Sequence, residues 1–294
     1  MSAETVKVAG VTISNPDKVW WPDEAITKAD VARFYDGISS QVAPWLRDRP
    51  LTAERCPDGM LGGCFYQKNF PEDKPPPGPR LVLRASTTGK DVHYIVGGAR
   101  STLISMVNLG CIAIHVMSTR ASHMQQVDWL AFDMDPQTGE FADAARAGLA
   151  LRKVLDEVGL VSYTKTSGSR GLHVFCPLRA GVTPQRAVAA AVSLGEELAR
   201  REPELVTVEF SKAKRGARVF ADAMRNAHGQ TIVPPYSVRR RPRAPVSTPL
   251  AWDEVSAKLD PGTFNVRTFE RRLARAEPWA DFWRRRQSLP TTLA

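Results

Sequence analysis

The chain has 294 residues, 43% of them hydrophobic and 24% charged, with a formal net charge of +9. That is enough chain to bury a sizeable core, and no window approaches 18 uncharged apolar residues, which excludes a membrane-spanning helix. The opening MSAETVKVAG has no apolar signal core, so the composition predicts a cytoplasmic protein.

The charge is unevenly placed. From Arg201 onward there are 18 Lys and Arg against 10 Asp and Glu, and between Ser211 and Arg243 nine basic residues surround one acid, Asp222. Such asymmetry predicts a polyanionic partner, nucleic acid or nucleotide phosphates. Four cysteines, Cys56, Cys64, Cys111 and Cys176, show neither CxxC pairs nor zinc-finger spacing, and are read as reduced, mostly buried thiols.

In chain order, Thr27 is a predicted helix cap with Asp30 at the third position. Val31, Phe34, Tyr35, Ile38 and Val42 follow at helical spacing. Pro-rich EDKPPPGPR over 72–80 is a predicted surface loop, and a second helix is expected near 98–110, closed by Gly110. CIAIHVMS and VDWLAFDMD read as buried strands, followed by a helix over 140–158. LVSYTKTSGSRGLHVFCPL reads as a strand–turn–strand unit and Pro184 as the start of an Ala-rich helix to about Arg201. LVTVEF and RVFAD are two more predicted strands. The segment 233–250, VPPYSVRRRPRAPVSTPL, looks extended and too irregular for the core, and helical patterns appear around Trp252 to Leu259 and again from Phe269. The mixture predicts an α+β fold, with a central, largely antiparallel sheet flanked by helices.

The chemistry concentrates in LAFDMDP. If it is extended, Asp133 and Asp135 share a face, about 6.6 Å apart along the backbone. Two carboxylates so placed repel one another unless a cation sits between them, and their oxygens suit Mg²⁺ or Mn²⁺. Alone, Asp-x-Asp also fits sugar transferases, phosphatase-like enzymes and solvated strand ends. TSGSRGLHV adds Ser167, Ser169, Arg170 and His173 around two glycines, a set suited to phosphate oxygens. Asp222 ends a strand amid basic residues, where ion pairing and metal binding are equally open. His115 stands alone on an apolar strand, more in the manner of a satisfied core residue than of a ligand.

With these pieces in order, the sequence resembles the polymerase domain of bacterial ligase D, the non-homologous end-joining primase-polymerase of the archaeo-eukaryotic primase superfamily. The similarity runs through NPDKVWWP, RPLTAERCPDG, CFYQK, IAIH, AFDMDP, KTSGSRGLHV, SKAKRGARVFAD, RNAHGQTIVPPYSVR, APVSTPL and EPWADF. The resemblance implies one catalytic domain over 1–294, with an N-terminal subregion 1–110 packed on a core 111–250 and a helical tail 251–294. It implies template-directed addition of nucleotides, with ribonucleotides favoured, to DNA 3′ ends at gaps and double-strand breaks. Two Mn²⁺ or Mg²⁺ ions would be held by Asp133, Asp135 and Asp222. His115, Ser167, Arg170, His173, Arg215 and Arg239 match nucleotide-contacting positions. Asn15, Lys18 and Lys28 match a pocket for a downstream DNA 5′-phosphate, and Phe65 and Tyr66 a template-stacking pair. Ku and an ATP-dependent DNA ligase are the implied protein partners, with a nucleoid-associated location.

The chain departs from the family pattern in two places. Arg170 replaces a more usual Lys, and Ala223 and Met224 stand where an aromatic residue usually follows the third aspartate. A catalytically silent end-binding module would gain nothing from three carboxylates beside phosphate. A primer-independent primase would be expected to carry a zinc-binding Cys/His cluster, which the sequence lacks.

Overall fold

The computed structural model describes residues 6–70, 76–85 and 88–293. Its N-terminal part opens with two short hairpins, Val6–Val8 with Val11–Ile13 and Val19–Trp21 with Ile26–Thr27. Helix α1 (Lys28–Gly37) then starts at Thr27, whose hydroxyl accepts from the Asp30 N–H while the Asp30 carboxylate accepts from the Thr27 N–H. The apolar spacing continues to Val42, but the backbone breaks at Ile38 and resumes as α2 (Ser39–Leu46). Gly37 is a poor helix former at that point, and Val31, Tyr35, Ile38 and Val42 on both sides of the break stay buried, with Phe34 partly so.

Three strands form a small antiparallel sheet in the order β2–β1–β3: β1 (Leu51–Arg55), β2 (Phe65–Gln67) and β3 (Cys111–Val116). Arg55 pairs with Phe65, which brings the next residues, Cys56 and Cys64, face to face. Their Cα atoms are 4.4 Å apart and the two form a disulfide. The reading of four reduced thiols is thus corrected: only Cys111 and Cys176 are free, and both are buried. Helix α3 (Arg100–Asn108) ends as its sequence predicts, with Gly110 in the left-handed region at φ +91°. Of the predicted loop 72–80, residues 72–75 lie outside the described residues; 77–79 are exposed.

The second sheet has six strands: β4 (Trp129–Pro136), β5 (Tyr163–Thr166), β6 (Leu172–Pro177), β7 (Val206–Thr207), β8 (Val219–Asp222) and β9 (Pro249–Leu250). Their order is β7–β8–β4–β6–β5–β9, antiparallel throughout except for the β7–β8 pair. Helices α4 (Phe141–Glu157) and α5 (Pro184–Arg201) cover one face. The central strand β4 is apolar on both sides. Leu130, Phe132 and Met134 pack into the core under α4 and α5. Trp129 and Ala131 join the other core, which collects Trp20, Trp45, Ile112, Phe175, Trp279 and Phe282 from both ends of the chain. Continuing the second register toward Pro136 brings the strand to Asp133 and Asp135.

Three expectations are revised. LVTVEF contributes only Val206 and Thr207 to the sheet, as a parallel edge. The segment 233–250, expected outside the core, is threaded between the two sheets except at its exposed middle, 240–243: Val233, Tyr236, Val238, Val246, Ser247 and Thr248 are all buried. Its prolines have no N–H to satisfy, so an extended Pro-rich segment can be buried with fewer unmet donors. The two predicted C-terminal helices reduce to 3₁₀ turns at Trp252–Glu254 and Pro261–Thr263 and one α-helical turn, α6 (Glu270–Leu273). Among the described residues no helix is long and apolar enough to cross a membrane.

Candidate active site

The registers of four adjacent strands place a row of polar residues across one face of the large sheet. Asp222 of β8 pairs opposite Asp133 of β4, Asp133 opposite His173 of β6, and His173 opposite Lys165 of β5. Directly paired residues project to the same side. Asp135 lies two residues along β4 on that side, opposite Phe220.

Charge within this row is tightly organised. His173 Nε2 lies 3.3 Å from Asp133 Oδ1, Arg225 Nε lies 3.6 Å from Asp133 Oδ2, and Arg225 Nη2 lies 2.9 Å from Asp222 Oδ2. Burial by itself would raise the Asp133 carboxyl, but His173, Arg225 and Arg239 outweigh it and hold Asp133 well below the usual carboxylate range. His173 is pushed down to about 4 by burial and by the Lys165 amino group at its Nδ1, so the imidazole is neutral near pH 7. Asp135 moves the other way, raised by burial and by the nearby Asp133 charge. Asp222 is also raised, chiefly by burial and with a contribution from Asp133, against the pull of Arg225. Two of the three carboxylates are therefore shifted upward, both chiefly by burial.

Among the described residues no three His, Cys, Asp or Glu side chains converge closely enough to grip an ion unaided. Between Asp133 and Asp222 the charge is balanced by the Arg225 guanidinium. The donor set nonetheless fits a hard divalent ion: three carboxylates on one sheet face, two of them destabilised by burial, with a side-chain cation already bridging one pair.

The row opens into a cavity of about 580 Å³ between the two sheets. Its walls include Thr52, Tyr66, His115, Asp133, His173 and Arg239. Burial, with Arg239 and Arg225 nearby, pushes the His115 imidazole well below its ordinary value. Its Nε2 is buried without a partner, a donor or acceptor free for a ligand. Arg239 reaches the same cavity while its Nη1 donates to the Ser167 carbonyl at 2.7 Å.

The other nucleotide-contact candidates are placed differently. The Ser167 hydroxyl accepts from the N–H groups of Ser169 and Gly171 and so closes its own turn. Gly171 leaves no room for a side chain, because an added Cβ would lie 2.6 Å from the Met134 carbonyl oxygen. Arg170 is exposed and lies against Gly139 in the turn after β4, away from the cavity wall. Arg215 is buried, its guanidinium 3.6 Å from the Phe220 ring centre and donating to the Glu209 and Phe210 carbonyls.

Two further clusters come together at a distance in sequence. The Asn15–Lys18 turn docks on the start of α1, where the Lys28 N–H donates to the Lys18 carbonyl. Lys28 Nζ donates to the Ser14 carbonyl and hydroxyl, while Lys18 pairs with Asp58 at 2.5 Å. Burial and the Lys18 charge bring Lys28 down to about 8. On β2, Phe65 and Tyr66 are 49% and 62% exposed. Composition alone assigns them to a core; on an edge strand they are open faces.

Sequence reasoning did not single out Lys165, Arg225 or Asn226. Lys165 had a readable signal, a lysine at an inward position of an otherwise buried strand. Arg225 and Asn226 had none, since both follow β8 in a short 3₁₀ turn (Met224–Asn226) placed by the tertiary fold.

The fold places the chain in the primase-polymerase domain class. The chain belongs to the LigD primase-polymerase domain family, whose family model matches residues 27–283. It is 31% identical over 300 residues to the multifunctional non-homologous end joining protein LigD of Pseudomonas aeruginosa, covering 99% of this chain and 35% of that protein. To the Mycolicibacterium smegmatis protein of the same name it is 30% identical over 276 residues, covering 92% of this chain and 35% of that one. The chain thus spans about a third of the length of these relatives. Among solved structures, the polymerase domain of Mycobacterium tuberculosis ligase D in complex with DNA superposes with a TM-score of 0.85 at 28% identity, covering 92% of this chain and 96% of that one.

Proposed function

We propose that this domain adds nucleotides, preferentially ribonucleotides, to DNA 3′ ends at gaps and double-strand breaks, using two divalent ions held by Asp133, Asp135 and Asp222. The observation that carries this reading is the paired register Asp222–Asp133–His173, with Asp135 one step along, at the mouth of a cavity containing the unpartnered His115 Nε2. When bound there, Mn²⁺ or Mg²⁺ would supply Lewis-acid charge to the α-phosphate and to the attacking 3′-hydroxyl.

The chain's own residues do the rest by positioning. Asp133 and Asp135 would hold the nucleotide's metal, and Asp222 the metal on the primer side. With metal held by these carboxylates, the Arg225 guanidinium now between Asp133 and Asp222 would be a cation available to phosphate oxygens. His115 and Arg239 contact the triphosphate from the cavity wall; the family resemblance adds Arg215, Ser167, Arg170 and His173, whose polar groups are here engaged within the protein or lie outside that wall. No covalent enzyme intermediate is needed, because catalysis comes from alignment and charge neutralisation. Asn15, Lys18 and Lys28 receive a 5′-phosphate across the gap, and Phe65 and Tyr66 stack on template bases. Ku and an ATP-dependent DNA ligase are the proposed partners in end joining.

The test is extension of a 5′-phosphorylated gapped duplex with rNTP or dNTP and either Mn²⁺ or Mg²⁺. Asp133→Ala and Asp135→Ala should each abolish extension while retaining DNA binding. Full activity in either variant would refute the two-metal assignment.

A further inference from the structure

Lys165 is a fully buried lysine (0% exposed) beside the proposed metal carboxylates, yet it is not part of the cavity wall. A buried lysine is costly unless its amino group is hydrogen-bonded. Its contacts show what the position does. Lys165 Nζ lies 2.5 Å from Ser247 Oγ and 2.9 Å from His173 Nδ1. The Ser247 hydroxyl donates its own proton to the Thr166 carbonyl, so toward Lys165 it can only accept. At the other end of the ring, His173 Nε2 lies 3.3 Å from a carboxylate oxygen of Asp133, which serves as an acceptor. A neutral ring donating from Nε2 must accept at Nδ1, and Lys165 supplies that proton.

We propose that Lys165 is a positioning residue that holds His173 as the neutral Nε2–H tautomer, so that His173 donates to one Asp133 oxygen and leaves the other for a metal ion. The hydrogen bond at one imidazole nitrogen decides which nitrogen carries the proton. The chain Thr166–Ser247–Lys165–His173–Asp133 then orients a metal-holding carboxylate from two strands away, as outer partners do at metal sites. Strand register supports the geometry, since Lys165 and His173 are directly paired and the segment carrying Ser247 hydrogen-bonds to β5. This inference rests on the reading of Asp133 as a metal ligand.

The test is nitrogen NMR of histidine-labelled protein at neutral pH, with the His173 signal assigned among five histidines by its loss in His173→Gln. In the unaltered protein Nε2 should be protonated and Nδ1 unprotonated. Lys165→Met should leave His173 Nδ1 without a hydrogen-bond donor, moving its shift toward that of an unbonded imidazole nitrogen, and weaken Mn²⁺ binding in calorimetry by about 10- to 100-fold. A protonated Nδ1 in the unaltered protein overturns the proposal, even if the variant fails to fold. So does a Lys165→Met protein that keeps both the Nδ1 shift and the Mn²⁺ affinity. A purely structural lysine would shift the melting midpoint alone. Should the tautomer be as expected while the unaltered protein extends no primer, the functional reading fails and the positioning role stands.

Discussion

Asn226→Ala should destabilise the protein through the backbone of the metal-bearing strand. The β4–β8 ladder begins at the Asp133–Asp222 pair, so at Ala131 strand β4 has lost that neighbour. Asn226, fully buried, fills the gap: its Oδ1 accepts from the Ala131 N–H at 2.8 Å, and its Nδ2 donates to the carbonyls of Ala131 at 2.8 Å and Ala223 at 2.7 Å. The Ala223 carbonyl keeps a second partner in the Asn226 N–H, but both Ala131 groups are orphaned. Each unmet buried group costs roughly 1–3 kcal/mol, which gives about 2–6 kcal/mol for the pair. A water entering the vacated volume recovers part of this, so the expected loss is about 3 kcal/mol, or about 6–12 °C in Tm at this chain length. Urea titration followed by tryptophan fluorescence measures it. Asn226→Asp keeps the volume but turns both donor contacts into lone-pair repulsions, so it should do no better than Ala. Because Asn226 joins the strand of Asp133 to the turn after Asp222, primer extension should fall in both variants at temperatures where they remain folded. A loss below about 1 kcal/mol, or a native-like aspartate variant, would refute this account of the strand.

Other outcomes follow from the remaining sites. Lys28 is brought down to about 8, so it is charged below that pH and neutral above it. The preference for 5′-phosphorylated over 5′-hydroxyl gaps should therefore decline between about pH 7 and pH 9, about one unit either side of its midpoint. A flat preference would remove Lys28 from the pocket, and Lys18→Ala should weaken the preference with extension of an ungapped primer unchanged. Tyr66→Ala should cost about 1–3 kcal/mol in binding a template overhang, with stability moved by less than about 0.5 kcal/mol because the ring is exposed. Equal affinity of both proteins in fluorescence anisotropy would contradict a stacking role. Thiol labelling of the denatured, unreduced protein should count two free cysteines, and four after reduction. Four before reduction would contradict the Cys56–Cys64 bridge.

Much of the core architecture was legible from local pattern. Thr27 and Asp30 announce a helix start, Gly110 a helix end, and the alternation around SGSRG a hairpin, because capping, left-handed backbone and period-two burial are properties of short segments. The buried proline-rich segment was not legible: its burial depends on two sheets that flank it in space, and its residues merely lack the donors that would forbid it. Trp252–Leu259 and the stretch after Phe269 carry helical spacing without the length or partners to become more than single turns.

The same division runs through the site. The sequence alone determined that Asp133 and Asp135 share a face, since two residues apart on a strand admits no other arrangement. It also determined that a phosphate-suited Gly-rich turn lies downstream and that the last third of the chain is basic. Only the tertiary structure decided that Asp222 and His173 flank Asp133 as registered partners, that Arg225 stands between two carboxylates, and that Lys165 lies buried behind His173. Strand order and register are set by which faces find a common core, and pairings across 40 to 90 residues leave no trace in local spacing.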